Sequence, residues 1–264
     1  MNEKFISVNN SNIYYTTTGK GDAVVLVHGF AEDSSIWNTQ TAFLKNNFLL
    51  IIPDLPGSGQ SSLLQKENAG IEDYAHCIQL ILQQENITQC TMIGHSMGGY
   101  ITLAFAEKYP GLLKGLGLFH SSAYADDDEK ISTRKKGVLF IETYGAEAFL
   151  KTSLPGLFHD VQKSQHQIEE LLTKGKTFTS RALIQYYHAM IARPDRTQVL
   201  KNFAGPVLFM MGLHDKAVPY QHSLQQSYLP HQSYIYVLRN SAHMGMLEEK
   251  DKVNECLLFF LQNI

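Results

Sequence analysis

The chain has 264 residues, 44% of them hydrophobic, and 22 Lys or Arg against 25 Asp or Glu leave a net charge of −3. That length predicts one large domain with room for an insertion, and the balanced charge excludes a general nucleic-acid binder, which needs a basic stripe to displace counterions. No apolar run approaches the ~20 residues of a membrane-spanning helix, so no membrane partner is expected. The opening MNEKFISVNN has no apolar stretch, which argues against a cleaved secretory signal. Cys77, Cys90 and Cys256 cannot all pair and lack metal-ligand spacing; they read as reduced, packed thiols in a cytoplasmic protein.

Residues 5–8 and 13–18 alternate polar and apolar side chains around an Asn-Asn-Ser-Asn turn, which predicts an opening β-hairpin. Continuous apolar runs follow at 23–27, 48–52, 91–93, 113–119, 206–211 and 234–238, as in strands covered on both faces. Helical patterns separate or follow them at 39–45, 71–84, 98–109, 197–203, 224–228 and 253–262. Alternating strands and helices require crossover connections and hence a parallel sheet wrapped on both sides. Residues 123–194 break the rhythm: they hold no strong strand run, and the candidate helices are 130–139, 146–151, 160–173 and 180–191. The segment is too long for a plain connection. The predicted organisation is a core of residues 1–122 and 195–264, with 123–194 as a helical cap over the carboxyl ends of the strands.

Gly94-His95-Ser96-Met97-Gly98 fits G-x-S-x-G, a match that average composition would produce by chance in about one chain in ten. Its setting is more specific, directly after one predicted strand and directly before a predicted helix. So tight a turn strains the serine backbone and needs small neighbours, supplied by Gly94, Gly98 and Gly99. It projects the hydroxyl clear of the sheet and places the next amide at a helix N-terminus, where an oxyanion is stabilised.

With this motif in place, nearly the whole chain resembles the α/β-hydrolase fold family. His28-Gly29-Phe30 is similar to the family's oxyanion turn, and Asp54-Leu-Pro-Gly57-Ser-Gly59-Gln-Ser61 is similar to its D-x-x-G-x-G-x-S loop. The resemblance implies a mostly parallel eight-stranded sheet with helices on both faces. It also implies serine chemistry, because relatives that hydrolyse haloalkanes or epoxides carry an aspartate where Ser96 stands.

A serine hydroxyl needs a base, and the base needs an orienting acid. Among 11 histidines, His243 follows the last strand run and so reaches the same sheet edge as Ser96; the family expects its histidine there. Asp215, at the end of the 206–211 run, completes the order Ser96, Asp215, His243. Asp126-Asp127-Asp128 is the rival, since some relatives place the acid after the preceding strand, but three adjacent carboxylates read as a solvated cap entrance. The N–H groups of Phe30 and Met97 are the expected oxyanion donors. No H-E-x-x-H spacing supports a metal, and no cofactor is expected.

Phe30, Tyr124, Tyr186, Tyr187 and Met244 are the candidate substrate contacts, with Tyr144, Phe149 and Phe158 as further cap aromatics. Met97, Met244 and Met246 suggest an apolar, adaptable site. The activity expected is hydrolysis of a small apolar carboxylic ester. Lactone hydrolysis, carbon–carbon bond hydrolysis and cofactor-free perhydrolysis use the same triad. A ligand receptor with slow or no turnover is the alternative of another class.

Overall fold

The structure, a computed structural model, describes residues 1–264. β1 (Asn2–Val8) and β2 (Ser11–Thr18) pair antiparallel through a turn in which Asn9 and Asn10 both take positive φ, as a two-residue hairpin loop requires. β2 also runs antiparallel to β4 (Leu49–Pro53), and every later pairing is parallel. With β3 (Ala23–Val27), β5 (Cys90–His95), β6 (Leu113–Phe119), β7 (Val207–Gly212) and β8 (Ser233–Leu238), the order is β1-β2-β4-β3-β5-β6-β7-β8. This is the expected mostly parallel eight-stranded sheet.

Alternation along the apolar strands sorts their side chains into two cores. Val25 and Val27 face a core shared with α2 (Ile71–Gln84) and α3 (Met97–Lys108). Val24 and Leu26 face one shared with α1 (Asn38–Leu44) and α10 (Lys250–Gln262). The carboxyl ends of β5, β6, β7 and β8 therefore open along one edge between two helical layers, where functional loops gather in such sheets.

Between β6 and β7 lie α4 (Asp128–Ser153), α5 (Gln165–Gly175), α6 (Ser180–Ala192) and α7 (Thr197–Asn202). α4 is interrupted at Gly145, whose φ of 86° and ψ of 165° are not helical, so its two halves are the separate helices predicted over 130–139 and 146–151. α5 starts later than predicted because Asp160 turns back to accept the Lys163 N–H at 3.0 Å. The helix predicted over 224–228 is α8 (Tyr220–Gln226), which begins after Pro219, and a short α9 (Gly245–Glu248) was not foreseen. The inserted segment has no core of its own. Ile141, Leu183 and Met190 join the α2/α3 core, while Leu154, Phe158 and Ile168 join the α1/α10 core. No helix is long and apolar enough to cross a membrane, and all three cysteines are buried and free.

Candidate active site

Ser96 links β5 to α3 with φ 51° and ψ −116°, a conformation that costs a non-glycine residue about 1–3 kcal/mol and persists only where its surroundings enforce it. Ser96 N–H donates to the Phe119 carbonyl at 2.9 Å, and Ser121 Oγ donates to the Ser96 carbonyl at 2.7 Å. A Cβ on Gly94 would strike the Gly98 carbonyl, and one on Gly98 would strike the carbonyls of Val27 and His28. The flanking glycines are thus demanded by the close approach of β3, β5 and α3. Ser96 lines a cavity of about 800 Å³ together with Phe30 and His243. Met97 N–H, at the first position of α3, and Phe30 N–H, in the loop after β3, have no acceptor in the protein.

His243 and Asp215 follow β8 and β7, and His243 Nδ1 donates to Asp215 Oδ2 at 2.8 Å. Asp215 Oδ1 accepts the N–H groups of Ala217 and Val218 at 2.8 and 2.9 Å. Burial opposes the charge on Asp215, yet the attraction of His243 and the hydrogen bonds hold its carboxyl well below the usual range. A ring that donates from Nδ1 to a carboxylate keeps Nε2 available as an acceptor when neutral. Ser96 Oγ and His243 Nε2 share the cavity without a hydrogen bond between them, the looser spacing common in unliganded sites. The inserted segment takes part in placing this ring: His243 N–H donates to the Leu157 carbonyl at 2.9 Å.

The rival acid lies elsewhere. Asp126 is paired with Arg134 Nε at 2.6 Å and Arg193 Nη2 at 2.9 Å, with its side chain fully buried. The expected solvated trio is therefore corrected at its first member. Asp127 and Asp128 are exposed, and Asp127 caps α4 by accepting the Lys130 N–H at 2.8 Å.

Two further groups escaped sequence reasoning. Glu32 Oε2 accepts the Gly29 N–H at 2.6 Å and faces His95 Nδ1 at 2.9 Å, while His95 Nε2 faces the His243 carbonyl at 2.9 Å. Both ring nitrogens of His95 face oxygens, an arrangement that favours the protonated ring beside an ionised Glu32. Burial alone would neutralise this pair, but mutual attraction and hydrogen bonding outweigh it, raising His95 and lowering Glu32. One ion pair thereby joins the oxyanion turn, the serine elbow and the backbone of His243.

The stability from His95 is present below its unfolded pKa and fades as pH rises through the raised folded value; that from Glu32 fades as pH falls through its lowered value. Glu32→Gln should lower kcat by about 10²-fold by misplacing the reacting groups. The Tm gap between wild type and this variant should shrink on the alkaline side. A gap that does not narrow as the pH is raised would contradict the ion pair.

His120, at the end of β6, accepts the Gly212 N–H at Nδ1 (3.2 Å) and lies 3.3 Å from Asp215 Oδ2. Burial pushes it down to about 4, so the ring is neutral. His120, Asp215 and His243 present metal-capable atoms within 4.8 Å of one another. Nδ1 of His120 is occupied by an N–H, however, and Nδ1 of His243 carries the proton shared with Asp215.

Of the predicted substrate contacts, Phe30, Tyr124 and Tyr187 line the cavity, and Tyr186 and Met244 do not. Tyr186 is wholly buried, with its hydroxyl donating to the Pro56 carbonyl and sharing a hydrogen bond with Ser58 Oγ, both at 2.7 Å. It anchors α6 to the 54–61 loop. Met244 borders a small adjoining pocket, while Met97 and Met246 are core residues. Tyr144 is exposed, Phe149 packs beside Phe30, and Phe158 is in the core. Tyr186→Ala should accordingly cost about 3–5 kcal/mol of stability. A denaturant midpoint equal to wild type would show that Tyr186 does not anchor this region.

A strained serine elbow, a His–Asp pair at the same sheet edge and this strand order define an α/β hydrolase. The family model described as serine aminopeptidase, S33 (Hydrolase_4), matches residues 20–250, and the chain belongs to that family. A putative carbamate hydrolase of Pantoea ananatis is 25% identical, with 95% of this chain and 93% of that protein covered. An (E)-2-((N-methylformamido)methylene)succinate hydrolase of Acinetobacter baylyi is 24% identical, with 96% and 95% covered. Among solved structures, a thermophilic esterase from Thermogutta terrifontis superposes with a TM-score of 0.92 at 25% identity, covering 99% and 98% of the two chains. An enol-lactonase from Burkholderia xenovorans LB400 gives a TM-score of 0.91 at 20% identity, covering 98% and 100%.

Proposed function

We propose that this hydrolase cleaves carboxylic esters through an acyl-Ser96 intermediate. The observation that carries the reading is the convergence, on one cavity, of a strained serine, the loop residue Phe30 with its unpartnered N–H and a histidine held by a buried carboxylate, with the unpartnered Met97 N–H directly following that serine at the start of α3. Ser96 Oγ attacks the ester carbonyl as His243 Nε2 takes its proton, and Asp215 stabilises the imidazolium that forms. The Phe30 and Met97 N–H groups bind the oxyanion; one such donor is typically worth ~2.7–4 kcal/mol. His243 then protonates the departing alcohol, and water activated by the same ring releases the acid. Similarity to the Thermogutta terrifontis esterase supports ester cleavage.

Residues 123–194 serve as the cap: Tyr124, Leu157 and Tyr187 come from it to the cavity wall. The free buried thiols support a cytoplasmic location. A short-chain p-nitrophenyl ester tests the reading. Many nitrophenols released per chain, after a burst of one equivalent, are expected. One equivalent bound without turnover would identify a receptor instead.

A further inference from the structure

One wall of the cavity holds more positive charge than a purely apolar ester needs. The buried carboxylate of Asp126 serves two guanidiniums, those of Arg134 and Arg193, and so leaves one positive charge over. Arg193 borders the cavity but its side chain is only 3% exposed and its donors are taken: it stacks 3.8 Å over the Tyr100 ring, pairs with Asp126 and donates to the carbonyls of Met190 and Tyr124. Arg134 is 12% exposed, and its Nη1 has only the weak thioether acceptor of Met190 at 3.2 Å. Lys130 Nζ donates to the Ala217 carbonyl at 3.0 Å and has no carboxylate partner.

Tyr100 lines the same cavity and is 97% buried by its 3% exposure, yet its hydroxyl has no hydrogen-bond partner in the protein. Burial pushes this phenol up, but the charges of Arg193, Arg134 and Lys130 outweigh burial and bring it below its ordinary value. The acidic residues on the cavity do not cancel this field. Glu32 is neutralised by His95, and Asp127 and Glu129 are solvent-exposed at the start of α4.

We infer that Arg134, Lys130 and Tyr100 form a subsite for a carboxylate carried by the substrate, so that the preferred substrate is an anionic half-ester of a dicarboxylic acid. Charge-assisted hydrogen bonds from a guanidinium, an ammonium and a phenol suit a carboxylate and leave a neutral alkyl group without compensation. The orientation of the ester toward Ser96 rests on the function proposed above; the anion subsite itself does not.

Binding is therefore measured first in Ser96→Ala, where no turnover competes, by titrating methyl hydrogen glutarate against dimethyl glutarate. The anionic ester should bind about tenfold or more tightly, and added salt should narrow the difference. In the Ser96→Ala background, Lys130→Met and Tyr100→Phe should each reduce this preference, and exposed Lys163→Met should leave it alone. Equal binding of the two esters, or a preference untouched by both cavity variants, would overturn the subsite. Turnover of both esters by wild type is measured in parallel. Tighter binding of the anion with no turnover of either ester supports the subsite and refutes the esterase reading alone.

Discussion

Ser96→Ala should lower kcat by about 10⁶-fold for any ester the wild type accepts, leaving a residual rate that reflects the oxyanion donors and binding. Only the hydroxyl is removed. The Ser96 backbone is held from both sides by Phe119 and Ser121, and alanine keeps the Cβ that the elbow already accommodates. The melting temperature should therefore stay close to wild type while activity disappears. Retention of more than about a tenth of wild-type kcat in a folded variant would remove Ser96 from the chemistry.

Asp215→Asn should lower kcat by about 10⁴-fold. An asparagine cannot hold His243 with its proton on Nδ1 as a carboxylate does, and it offers no negative charge to the imidazolium. Asp126→Asn is the informative contrast. It leaves Arg134 and Arg193 without their buried counter-charge and should cost about 3–5 kcal/mol of stability. Residual folded protein should still react at Ser96. Loss of activity in Asp126→Asn with a mild effect in Asp215→Asn would reverse the assignment of the acid.

The meeting of Ser96, Asp215 and His243 at one edge was readable in the sequence because each sits just beyond an apolar run, and parallel strands bring such ends together. The elbow was readable because its glycines answer a local steric demand. Pairings between distant segments left no local mark: Glu32 and His95 are 63 positions apart, and nothing in either neighbourhood announces the other. His120 did carry a signal, since it directly follows the run 113–119 at that same edge. Tyr186 and Tyr187 show a different limit. Neighbours on a helix point about 100° apart, so one reaches the core and the other the cavity. Choosing between them requires knowing how α6 is rotated. The apolar site expected from Met97, Met244 and Met246 failed for a related reason: sequence adjacency to Ser96 and His243 does not place a side chain on the same surface.

The most direct measurement is covalent trapping with a fluorophosphonate, followed by mass mapping of the modified peptide. This probe reacts with an activated serine irrespective of which ester the cavity prefers. The wild-type protein should gain one adduct, mapped to Ser96, and the Ser96→Ala variant should gain none. An adduct on another residue, or an unmodified wild type that nevertheless hydrolyses esters, would contradict the acyl-serine mechanism.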